Sequence, residues 1–241
     1  MNCVIYTCHH VAPLTSGVEE RGTISLSRFT RQLKWLKRLG VRFIRMTELL
    51  TWLEGKQKIP ARSALLTFDD AYASFAEHAF PLLRQEQVPC TIFVIAGLIG
   101  TVSNLNEHRG GEARRHLSID ELNVLIKSNL VEIGSHCYHH FDLTTLDFQQ
   151  VRFEITAAKT YLEKTFKAEI PFFAYPYGKV SDAVAAEVNR SGYKLAFTTR
   201  KMKIVSRNIN RFLIPRINWG RRATLLKLYK YFLIPWSRSI G

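Results

Sequence analysis

The chain has 241 residues with 46% hydrophobic and 12% aromatic content. That is enough for one large core and is unlike a disordered segment. No run of eighteen or more apolar residues occurs, so no membrane-spanning helix is expected. The net charge is +14, and the excess sits late: after Glu187 the acidic residues stop while 13 Lys or Arg follow, from Arg190 to Arg238. A one-signed segment of this kind points to an anionic partner such as phosphate, nucleic acid or anionic lipid.

The N-terminus, Met1 to Cys8, lacks the basic region and long apolar core of a signal peptide. Its four cysteines (Cys3, Cys8, Cys90, Cys137) follow no zinc-knuckle spacing. A cytoplasmic setting with reduced thiols is therefore expected. Residues 2–7 predict a short buried strand that ends in Cys8-His9-His10. Ser27 is a candidate N-cap for a helix carrying Phe29, Leu33, Leu36 and Leu39, closed by Gly40. A short strand over 41–44 and a helix over 48–54, capped by Thr47, come next. The apolar run 63–68 then ends in the adjacent carboxylates Asp69 and Asp70. An isolated Asp pair would read as a strand followed by a helix N-cap. A pair that closes a strand can also turn both side chains into one site, where like charges need a cation beside them.

A helix over about 72–87 is expected to be kinked or divided by Pro81. Residues 90–95 predict a strand. Residues 97–116, rich in Gly, Asn and Arg, predict a long loop or lid. Ser118 and Glu121 form a capping box that opens a helix to about Lys127. Strands over 131–135, 171–175 and 195–198 alternate with helices opened by Asp147 (to about Lys164) and by Ser181 (closed by Gly192). A last strand over 212–217 and a last helix over 223–233 complete the reading. Alternating strands and helices predict an α/β fold with mainly parallel pairing.

Three unusual motifs fall at the C-terminal ends of predicted strands, where barrel enzymes place reactive groups. They are Asp69-Asp70, His136-Cys137-Tyr138-His139-His140, and Tyr175-Pro176-Tyr177-Gly178. His136 and His140, four apart, would share one side of a helical turn and one metal ion, with His139 pointing away. Two imidazoles and a carboxylate leave positions open for water and substrate. The Tyr-Pro-Tyr-Gly turn would aim a backbone N–H at a developing oxyanion.

Thr67-Phe68-Asp69-Asp70, the His136 to His140 run and Phe173-Ala174-Tyr175-Pro176-Tyr177-Gly178 together resemble the polysaccharide deacetylase family, the NodB-homology group of carbohydrate esterases. The likeness in order and spacing spans about residues 4–220, and Cys8-His9-His10-Val11 resembles the Tyr-His-x-Val start of one branch. The resemblance implies an irregular (β/α)7 barrel in a single domain and metal-dependent hydrolysis of an N-acyl amino sugar. It makes Asp69 the general base, Asp70, His136 and His140 the metal ligands, and the Tyr177 N–H part of the oxyanion hole. The ion implied is zinc first, with cobalt, nickel, manganese or iron as alternatives. The substrate implied is an N-acylated, chiefly acetylated, amino sugar; the cationic C-terminal segment and the lack of an export signal favour one carried by a lipid phosphate or a nucleotide diphosphate over a free polysaccharide.

The sequence also departs from the family pattern. Ala71 stands in place of the usual Gly, Cys137 in place of Thr or Ser, Phe141 in place of Pro, and Ala174 in place of the Arg that orients the base. Arg216, in Ile214-Pro215-Arg216-Ile217, is the candidate replacement from another strand. The family's late Leu-x-His has no counterpart, since no His follows His140. The general acid would then be His9, or its neighbour His10. These losses leave a catalytically inactive, glycan-binding barrel as the alternative reading. Residues 221–241 form a basic amphipathic segment beyond the 1–220 barrel. It would pack on the barrel or lie at an anionic membrane surface with Tyr231 and Trp236 at headgroup level, making the enzyme peripheral to the inner face. No recognition motif for nucleic acid accompanies the charge.

Overall fold

The computed structural model describes residues 2–14, 22–105, 112–200, 202–204 and 206–233. In chain order it comprises β1 (Asn2–Cys8), β2 (His10–Ala12), β3 (Thr23–Ser25), α1 (Leu26–Arg38), β4 (Arg42–Phe43), α2 (Met46–Leu53) and β5 (Arg62–Phe68). A π-helical turn (Phe75–Ala79) runs into α3 (Phe80–Gln85), followed by β6 (Cys90–Val94), β7 (Val102–Ser103), β8 (Arg114–Arg115), α4 (Ile119–Lys127) and β9 (Val131–Ser135). Then come α5 (Phe148–Phe166), β10 (Phe172–Ala174), α6 (Asp182–Arg190), β11 (Leu195–Phe197), β12 (Ile217–Asn218) and α7 (Leu225–Leu233).

The main sheet follows the order β11-β10-β9-β6-β5-β1-β12, with β4 added beside β5, and every pairing in it is parallel. A parallel bridge from Phe197 to Ile214 joins the β11 edge to the segment leading into β12, which curls the seven-strand path into an irregular (β/α)7 barrel. Because the strands are parallel, all their C-terminal ends open on one rim. Strand interiors such as Cys90–Val94 are buried at every position, as expected of a sheet covered on both faces. One apolar cluster contains Ile5, Leu65, Phe93, Phe172, Ala174 and Phe197, with Met46, Leu49 and Trp52 of α2. The larger cluster lies between the sheet and the outer helices and includes Tyr6, Leu66, Phe68, Phe29, Phe75 and Trp219.

Several boundaries differ from expectation for local reasons. The first helix starts at Leu26 after Ser25, so Ser27 lies inside the first turn rather than capping it. The second helix begins at Met46, not after Thr47. The Glu132 carboxylate on β9 accepts from the Met46 and Thr47 N–H groups at 2.6 and 3.1 Å, so a neighbouring strand caps it. Pro81 divides the helix expected over 72–87. It lacks an N–H, and the turn before it widens to a π-type bond from Phe80 N–H to the Phe75 carbonyl. The strand expected over 212–217 shrinks to β12, with Arg216 just outside it. The 97–116 stretch carries a small antiparallel β7–β8 pair, and 106–111 lie outside the described residues.

The terminal helix packs on the barrel. Leu228, Tyr229 and Phe232 of α7 are buried against α1 and β1, Tyr229 lies edge-on to Trp35, and the Tyr6 hydroxyl donates to the Leu228 carbonyl at 2.7 Å. Trp236 and Arg238 lie outside the described residues. No helix among the described residues is long and apolar enough to cross a membrane.

Candidate active site

β5 delivers the two carboxylates. Asp69 still follows the strand, its N–H donating to the Cys8 carbonyl at 2.9 Å. At Asp70 the backbone turns left-handed (φ 69°), and Ala71 follows at φ 52°. That turn re-aims Asp70, which strand alternation would have pointed to the opposite face. It also gives a physical reason for the glycine usual after the pair, since a Cβ costs about 1–2 kcal/mol in left-handed backbone. His116 braces the turn: its Nδ1 donates to the Asp70 carbonyl, and its Nε2 meets Ser103 Oγ, each at 2.7 Å.

Arg216 enters the barrel fully buried and grips Asp69 with both nitrogens, Nη1 to Oδ1 at 2.6 Å and Nη2 to Oδ2 at 2.8 Å. Nη1 also reaches Thr67 Oγ1 at 3.2 Å, Nε donates to the Thr198 carbonyl at 3.3 Å, and the guanidinium lies over the Phe93 ring. This places a cation beside Asp69 although Ala174 supplies none. Burial pushes the Asp69 carboxyl up, but Arg216, with His136 and His9, holds it well below the usual carboxylate range. Asp69 is thus kept ionised in a dry site. His9 Nε2 stands 4.0 Å from Asp69 Oδ2, on the partly open side. His10 turns elsewhere, its ring edge-on to Tyr72 and its Nδ1 at 3.3 Å from Thr23 Oγ1.

The His136 to His140 run is not a helical turn. It is a loop after β9, with left-handed backbone at Cys137 and His140 (φ 68° at each). This conformation, not helical spacing, brings the two rings together, 4.8 Å apart between centroids. His136 Nδ1 donates to the Ala174 carbonyl at 2.7 Å, which assigns the Nε2 lone pair to the site. That Nε2 lies 3.6 Å from Asp70 Oδ1, and His140 Nε2 lies 3.5 Å from the same oxygen. One ligand atom each from Asp70, His136 and His140 falls within 4.8 Å of the others, all three residues being buried. Burial, the main cause, lowers both imidazoles to about 4, so they are neutral at ordinary pH and have lone pairs to offer. Asp70 Oδ1 and His140 Nδ1 are buried with no hydrogen-bond partner among the described residues. Buried polar atoms are rarely left so. A mixed nitrogen and carboxylate set with an orphaned oxygen at its centre fits a divalent ion.

His139 points away, its Nδ1 2.6 Å from Glu154 Oε1 on α5. The other Glu154 oxygen accepts the N–H groups of Tyr138 and His139 at 3.1 and 2.8 Å. Sequence reading passed over Glu154, yet a signal was present: it falls on the buried stripe Val151, Ile155, Ala158 and Leu162. A lone carboxylate among apolar helix positions must find donors elsewhere. Tyr177 sits in the one-turn helix after β10 at φ 59°, its ring edge-on to His140 at 4.8 Å. The next residue must be glycine. At Gly178 (φ +70°) a Cβ would fall 2.6 Å from Thr199 N.

The family model for polysaccharide deacetylase matches residues 56–196. The chain belongs to the polysaccharide deacetylase family. The matched segment contains Asp69, Asp70, His136, His140 and Tyr177, while His9 and Arg216 lie outside it. Among curated relatives, the poly-beta-1,6-N-acetyl-D-glucosamine N-deacetylase of Staphylococcus aureus (strain MRSA252) is 30% identical over 203 residues, 81% of this chain and 67% of that protein. The protein of the same name from Staphylococcus epidermidis is 29% identical over 233 residues, 91% of this chain and 77% of its own. The solved structure of IcaB from Ammonifex degensii superposes with a TM-score of 0.80 at 26% identity, covering 97% of each chain. The Streptococcus pyogenes deacetylase PplD, solved with acetate, shares the fold at a TM-score of 0.82 and 21% identity, covering 98% of this chain and 99% of its own.

Proposed function

We propose that this polysaccharide deacetylase is a metal-dependent hydrolase that removes acetyl groups from the N-acetylglucosamine units of a polysaccharide. The observation that carries the reading is the side-by-side placement of an ionised, Arg-clamped Asp69 and the buried Asp70, His136, His140 cluster. The curated relatives named for poly-N-acetylglucosamine support the substrate. A divalent ion held by Asp70, His136 and His140 would supply acidity to water and polarisation to the acyl oxygen; zinc suits this donor set best, with cobalt, nickel, manganese and iron also admissible.

The remaining steps belong to the chain. Asp69 takes a proton as the water oxygen attacks the amide carbon. Arg216 keeps Asp69 anionic and fixes the direction of its lone pairs. His136 keeps its Nε2 toward the cluster through the Ala174 bond. The Tyr177 N–H is the proposed donor to the developing oxyanion. The C–N bond breaks, His9 delivers a proton to the leaving nitrogen, and acetate and a free amine result. The test is elemental analysis of the purified protein beside His136→Ala and Asp70→Ala, with acetate release from N-acetylglucosamine oligomers. One divalent ion per chain, lost in both variants together with acetate release, is expected. A wild type that takes up no zinc, cobalt, nickel, manganese or iron overturns the hydrolase reading and leaves a glycan-binding barrel.

A cleft of about 750 Å³ supports an anionic partner as well. It is lined by Arg221, Arg222, Lys227 and Lys230, with Asn218 and Tyr231. We read it as a contact for phosphate-bearing headgroups or a sugar diphosphate, holding the enzyme at the cytoplasmic membrane face. Lys227→Glu/Lys230→Glu is expected to lose retention on phosphatidylglycerol vesicles at low salt; full retention removes this part of the reading.

A further inference from the structure

The loop that carries two of the cluster residues also carries exposed rings that the chemistry does not use. Phe141 follows His140 directly and is 53% exposed. Its ring lies 5.5 Å from that of His139, at 32°. His139 in turn lies 6.1 Å from Phe153 of α5 at 18°, and Phe153 is 51% exposed. Tyr138 continues the line, 5.7 Å from Phe153 and 6.3 Å from Tyr161, which sits two helical turns further along α5 and is also exposed. Of these pairs only His139–Phe141 and His139–Phe153 are near-parallel, and Phe141, Phe153 and Tyr161 all keep exposed surface.

This row is built rather than incidental. The buried Glu154 carboxylate fixes the His139 ring and the backbone N–H groups of Tyr138 and His139. The row starts beside the candidate metal cluster and leads outward along one helix face. Exposed aromatic patches continuous with a site mark where a ligand extends. The patch is aromatic, with hydroxyl and imidazole edges, and is continuous through Phe141 with the cluster residue His140. Flat, amphipathic sugar rings match it: their C–H faces cover aromatic faces while their hydroxyls reach the polar edges.

We propose that Phe141, His139, Phe153 and Tyr161 form a platform for the sugar units beyond the one undergoing deacetylation. The substrate engaged is then an extended amino-sugar polymer rather than a single linked sugar. The proposal deepens the polysaccharide reading above and rests on it for what occupies the site. The test is calorimetric titration of metal-loaded protein with the disaccharide and the pentasaccharide of N-acetylglucosamine. Wild type is expected to bind the pentasaccharide about tenfold more tightly than the disaccharide, and Phe153→Ala/Tyr161→Ala to bring the ratio near one. Equal affinities in the wild type, or a ratio kept by the double variant, overturn the platform. Loss of retention on phosphatidylglycerol vesicles at an unchanged ratio would make the patch a membrane contact and also overturn it. Acetate release is followed separately: its absence in the wild type sinks the deacetylase reading and leaves the binding ratio to decide the platform.

Discussion

At the scale of single residues, the buried pair Asp69 and Arg216 decides the most. Removing one partner strands the other charge in a dry interior. Arg216→Ala is expected to cost about 3–5 kcal/mol in urea unfolding and about a hundredfold or more in acetate release. Asp69→Asn/Arg216→Met should recover most of that stability and none of the activity, which separates support of the fold from support of the base. The neighbouring imidazoles set a pH dependence. His136 and His140 fall from 6.5 to about 4 in the fold, so the unfolded chain binds protons that the native chain refuses. Their contribution is complete above about pH 6.5 and drains away toward about pH 4. Asp69, held below its usual range, adds a further loss only below about pH 4. Urea midpoints of chelator-treated protein between pH 4 and 8 should fall on acidification, and less so in His136→Gln/His140→Gln. A flat profile in the wild type would refute this assignment.

At the scale of elements, the β9–α5 connection governs the cluster. Glu154 holds the loop from behind, as a positioning residue that touches no reacting atom. Glu154→Gln is expected to weaken zinc binding about 10–100-fold, measured by chelator competition, with helix content unchanged by circular dichroism. Unchanged affinity would show that the loop needs no such tether. The elements also show what could be read from sequence. The strand over Val131–Ser135 and the Ser118 capping box appear as expected, because an apolar run and a reciprocal cap are local signals. The His136–His140 geometry was not legible, because left-handed backbone at Cys137 and His140 is stabilised by partners distant in sequence. The same holds for α2, whose N-terminus is capped by Glu132 from another strand. Arg216 could be named from a gap in the expected pattern, but only the curled sheet brings its side chain to Asp69.

At the scale of the whole molecule, α7 is part of the barrel's outer layer as well as a carrier of charge. Phe232→Ala is expected to cost about 3 kcal/mol or more in stability, read from denaturant midpoints, because Phe232 is buried with Leu228 and Tyr229. Deleting the helix therefore confounds any test of anionic binding, and charge reversal at Lys227 and Lys230 is the cleaner probe. The closure of the barrel has a consequence in time. Asp69 and Arg216 are 147 residues apart, and the bridge that seals the sheet uses Ile214. On a ribosome adding 5–20 residues each second, the carboxylate waits roughly 7–30 s for its guanidinium. The proposed base therefore gains its cation only once residue 216 has been added, and a chain stalled before that point is expected to release no acetate.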